Sequence, residues 1–84
     1  MGMWSINVPT TEGIQSLDLG PEERAEAAAH RQAALHYRDT GDYSRLARFG
    51  GVRLGGYELE TDPREIERLA RQHQLDFEDF YEDA

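Results

Sequence analysis

Gly55-Gly56 divides two short segments of alternating side chains, Val52-Arg53-Leu54 and Tyr57-Glu58-Leu59, and no other stretch restricts the fold as tightly. A two-residue turn between antiparallel strands requires positive φ at its centre, which glycine adopts without steric cost. With the two glycines at the turn, Leu54 faces Tyr57, Arg53 faces Glu58 and Val52 faces Leu59. The apolar side chains then share one face, and Arg53 and Glu58 form an ion pair on the other. A one-residue slip would destroy this agreement, so the register is specified as well as the hairpin.

Helices flank the hairpin. Pro21 suits the first position of a helix with Gly20 as N-cap, and Glu22 and Glu23 complement the positive end of its dipole. Good helix formers continue to about Arg38, and Gly41 is placed to end the element. Its expected packing face is Ala25, Ala28, Ala29, Gln32, Leu35 and His36, a thin surface that lets another backbone approach closely. Asp42 can cap a short second helix with Tyr43, Leu46 and Ala47 on one side, ending at Gly50-Gly51. A third helix starts with Asp62 as N-cap, Pro63 in first position and Glu65 at the capping-box position. Ile66, Leu69, Ala70 and His73 form its buried stripe. A last helical segment starts at Asp76.

Toward the N-terminus, Trp4, Ile6 and Val8 alternate with Ser5 and Asn7, the period of a half-buried strand, which Pro9 ends or confines to a sheet edge. Residues 10–19 read as a loop. The expected fold is a single α+β domain over residues 1–84. It has a small antiparallel sheet, from the central hairpin and the N-terminal strand, packed with about four helices in the order β-α-α-β-β-α-α. A core of this size stabilises little, and without Cys there is no disulfide to help, so oligomerisation or partner binding is the remaining support. The thin alanine face of the first helix predicts a homodimer.

Seventeen acidic residues oppose nine Arg and no Lys, for a net charge of -8. Five of the acids fall in residues 75–84, so the rest of the chain, with twelve, is close to balance. Arg to the exclusion of Lys points to a GC-rich bacterial or phage genome. No apolar run is long enough to span a membrane and residues 1–8 lack a secretory pattern, which predicts a cytoplasmic protein without a membrane partner.

Catalytic and cofactor chemistry find little purchase. His30, His36 and His73 include no i, i+4 pair of the kind that binds zinc. Ser5, Ser16 and Ser44 lie in no nucleophile elbow, and Gly55-Gly56 leads into a strand rather than the helix a phosphate loop requires. No enzymatic activity, metal or cofactor is expected.

The functional signal lies in the acidic aromatic segment at 75–84. Phe77, Phe80 and Tyr81 fall at i, i+3 and i+4, opposite Asp76, Glu78, Asp79, Glu82 and Asp83. Glu82 and Asp83 sit at the helix end where the dipole disfavours acid, so they do not stabilise their own helix. Two readings stay open. The aromatics fold onto the core under solubilising acids, or the segment is an amphipathic ligand for a basic-rimmed apolar groove. The second gives the leading function: a small acidic regulatory or adaptor module that binds another protein with a basic surface, or mimics nucleic-acid charge. The alternative is a DNA-binding regulator using Arg64, Arg68 and Arg71 on the third helix, joined by Arg45 and Arg48. Nucleic acid is the disfavoured partner, because the acidic tail would repel phosphates.

Overall fold

A computed structural model describes residues 5–73. The fold is α+β, with two antiparallel strand pairs and, among the described residues, three helices. The order is β1 (Ser5–Thr10), β2 (Gly13–Asp18), α1 (Pro21–Thr40), α2 (Ser44–Ala47), β3 (Arg53–Leu54), β4 (Tyr57–Glu58) and α3 (Pro63–Gln72). Trp4 and the expected helix from Asp76 lie outside the described residues.

The central hairpin has the register its glycines dictate, Arg53 opposite Glu58 and Leu54 opposite Tyr57. Gly55 and Gly56 have φ of 57° and 87°, the left-handed region that a two-residue turn requires. The Leu59 N–H donates to the Val52 carbonyl (2.8 Å) and continues the pairing. Leu54 and Leu59 are buried, and Val52 and Tyr57 pack against the same core. The expected Arg53–Glu58 ion pair does not form. The Arg53 guanidinium, which is exposed, donates instead to the Gly56 carbonyl at the turn, and the ion pair it forgoes at the surface is worth little.

The expected loop at 10–19 is corrected to a turn and a second strand. β2 pairs with β1 along its whole length, from Ser5 opposite Asp18 to Thr10 opposite Gly13. Two features close this hairpin. Gly13 takes a φ of 100°, and the buried Thr10 hydroxyl donates to the Gly13 carbonyl (2.6 Å) while accepting from the Glu12 N–H (3.1 Å). Pro9 lies inside β1 without breaking it. Its carbonyl accepts from the Glu60 N–H (3.1 Å), and because N and O of an extended residue point the same way, its missing N–H faces away from β2. The two strand pairs meet there, where Thr10 bridges Leu59 and the Thr11 N–H donates to the Glu58 carbonyl (3.0 Å).

α1 starts at Pro21 after Gly20 and ends at Gly41, whose φ of 77° and N–H to the Tyr37 carbonyl (2.7 Å) close the last turn. The buried stripe is Ala27, His30, Ala33 and Ala34. Ala25, Ala28, Ala29 and Gln32 are exposed and Leu35 and His36 half-buried, a correction to the expected face. Alanines occur all round this helix, so their spacing does not single out one side. In α2 Leu46 is fully buried, while Tyr43 and Ala47 are exposed. The helix stops after one turn and Phe49, three residues beyond Leu46, takes the inward position they were expected to share. Asp42 Oδ1 accepts from the Ser44 N–H (3.0 Å) as a cap should.

In α3 Asp62 accepts from the Arg64 N–H (2.9 Å), and Ile66, Leu69 and Ala70 are buried. The capping box is incomplete, because Glu65 is drawn to Arg68 and the Asp62 N–H is taken by Glu60 Oε1 (3.0 Å). His73, expected in the stripe, closes the helix and is exposed. The core joins Val8 of β1, Leu46, Leu59 and Ile66, all at 1% exposure or less. Burying each such side chain contributes about 1.5–3 kcal/mol.

Candidate functional site

Where α2 crosses α1 an open groove of about 400 Å3 forms. Glu26, Ala29, Gln32 and Ala33 line it from α1, spaced at helical intervals, and Arg45, Arg48 and Phe49 line it from α2 and the turn that follows. Two local causes make this concavity. Ala29 and Ala33 have no bulk beyond Cβ, and the one-turn length of α2 lets the chain bend back so that Phe49 enters the core beside α1.

Phe49 couples the groove to the core. Its ring stands edge to face with His30, centroids 5.1 Å apart and planes at 75°. His30 is fully buried, and its Nε2–H donates to the Glu60 carbonyl (2.8 Å). Burial holds its pKa down to about 4, outweighing the opposite pull of the Glu60 hydrogen bond, so the imidazole is neutral near pH 7. One side chain of α1 thereby ties together the turn after α2 and the segment leading into α3. At the other end of α2, His36 meets Asp42 (3.1 Å). The Ser44 backbone N–H, then the Ser44 hydroxyl and His36, hold the Asp42 carboxyl down to about 2.

The arginines singled out from sequence fall into two situations. Arg45 and Arg48 come together in the α1–α2 groove, both exposed, and neither has an ion pair or hydrogen bond among the described residues. Arg64, Arg68 and Arg71 stand exposed on α3, and none of them lines that groove. Arg68 donates to Glu65 (2.8 and 3.2 Å) and Gln72 (3.3 Å), and Arg71 pairs with Glu67. The Arg68 hydrogen bonds hold the Glu65 carboxyl below its usual range. Asp76, Phe77, Glu78, Asp79, Phe80, Tyr81, Glu82 and Asp83 lie outside the described residues.

Sequence reasoning did not anticipate Phe49 meeting Ala29 and Ala33 in one groove. The available signal was a burial pattern of Leu46 and Phe49 three apart, which a helix of ordinary length would have shared with Tyr43. Among the described residues no three His, Cys, Asp or Glu side chains are grouped to hold a metal ion. No helix there is long and apolar enough to cross a membrane. Compared with protein families, curated proteins and solved structures, the chain matches none.

Proposed function

We propose that this chain is a small acidic regulatory or adaptor module that acts by binding another protein. The supporting observation is the α1–α2 groove, where exposed Ala29 and the buried Ala33 and Phe49 adjoin two exposed arginines with no partner among the described residues. An apolar floor with a charged rim suits protein recognition: the floor supplies burial and the rim supplies orientation. The acidic aromatic residues Asp76 to Asp83 add a second contact of opposite chemistry, to a basic surface, and can there imitate nucleic-acid charge. The pairing of Arg68 and Arg71 with Glu65 and Glu67 neutralises much of the α3 surface that duplex DNA would need.

Capture from the lysate of the native host tests this reading. The immobilised full chain should retain a defined partner, and the pair Arg45→Glu and Arg48→Glu should lose it with an unchanged circular dichroism melt. Retention of the same partner by that variant would overturn the assignment to the groove.

A further inference from the structure

We propose that the α1–α2 groove recognises a short acidic peptide with an aromatic anchor, its carboxylates on Arg45 and Arg48 and its ring beside Ala29, Ala33 and Phe49. This rests on the protein-binding reading and names the chemistry of the ligand. Arg45 and Arg48 are three residues apart and line one groove, so their charges converge on it. Each guanidinium presents a planar fork of donors matched to a carboxylate. Arg53, Arg68 and Arg71 spend their donors on Gly56, Glu65 and Glu67. Arg45 and Arg48 have no such partner among the described residues, although the chain carries a net charge of -8.

The groove favours a short ligand over a long polyanion. Charges are screened beyond about 8 Å at physiological ionic strength, so a short peptide senses chiefly the two arginines, whereas a longer polyanion also meets Glu26 and the other charges of a chain with a net charge of -8. Glu26 bears on the same choice. It lines the groove from α1, one turn before Ala29, and repels acid at that end, so the carboxylates belong at the Arg45 and Arg48 side and the ring toward Ala29 and Ala33. Phe49 supplies a fixed surface there, because His30 holds its ring from the core side. The volume, about 400 Å3, is at the low end of ligand pockets, about 300–1,000 Å3, and suits one anchoring side chain.

Residues 75–84 of this chain spell a peptide of the required kind, and a labelled synthetic copy of that stretch is the probe. Fluorescence anisotropy against the full chain should give saturable binding, weakened about tenfold or more by Arg45→Gln with Arg48→Gln. A probe with Phe77, Phe80 and Tyr81 replaced by alanine should bind at least about tenfold more weakly. Raising salt should weaken the unaltered probe, and amide shifts in the protein should centre on Ala29, Ala33 and Phe49. Absence of saturable binding, equal binding by the double variant, or tighter arginine-dependent binding of a duplex DNA than of the peptide would overturn the proposal. If the peptide fails while lysate capture still depends on Arg45 and Arg48, the ligand chemistry is wrong and the protein-binding reading stands.

Discussion

Mild acid should loosen this fold through His30. Folded, the imidazole is buried against Phe49 and the Glu60 carbonyl with a pKa of about 4; unfolded, it returns to about 6.5. Between these values the unfolded chain binds a proton that the folded chain excludes, so stability falls as pH falls, by about 1.4 kcal/mol per pH unit. The contribution is complete above pH 6.5 and lost below pH 4, a total of about 3 kcal/mol. Small domains are stable by only about 0.05–0.15 kcal/mol per residue, so this is a large share. His30→Gln removes the titration, and costs about 2 kcal/mol near neutrality through imperfect packing and a poorly satisfied Glu60 carbonyl. Urea unfolding followed by circular dichroism, at steps from about pH 7.5 to about 4.5, measures both proteins. The other ionisable groups titrate in each and cancel in the difference. The wild-type advantage should therefore fall by about 2–3 kcal/mol over that range, which brings the two proteins to about equal stability at the acid end. A gap that stays constant would refute the reasoning, because His30 would then take its proton equally in the folded and unfolded chains.

Replacing Gly55 and Gly56 together by valine should cost about 1–3 kcal/mol, since β-branched residues are strained at positive φ, and a Cβ at Gly55 also meets Leu17 side-chain atoms at 3.3 Å. An unchanged melting temperature would contradict this. Thr10→Val keeps the shape of a buried residue but removes the hydroxyl bonds to Gly13 and Glu12; the loss should be about 1–2 kcal/mol in urea unfolding. Ala28 is exposed on α1, so Ala28→Trp should leave the melt of the isolated fold within about 0.5 kcal/mol. If α1 forms a homodimer contact, sedimentation equilibrium will give a dimer for wild type and a weaker one for this variant; a wild-type monomer would rule that contact out.

Local chemistry wrote the parts of this fold that depend on a few adjacent residues. Gly55-Gly56 dictated the turn and register of the central hairpin, Gly20-Pro21 and Gly41 bounded α1, and Asp62-Pro63 started α3, because turns and caps are settled by φ preference and by hydrogen bonds two to four residues away. Long-range geometry decided the rest. β2 was not legible, because Ile14 and Leu17 do not alternate and the strand exists through its ladder to β1, with Thr10 and Gly13 closing the turn. The packing face of α1 was equally ambiguous: six alanines surround the helix, and it is the tertiary structure, in which His30 meets Phe49 and Glu60, that buries Ala27, His30, Ala33 and Ala34. Arg45 and Arg48 could be picked out as cations from the sequence. That they face a groove while Arg68 and Arg71 are held by Glu65 and Glu67 follows from the bend after a one-turn helix, which no local pattern encodes.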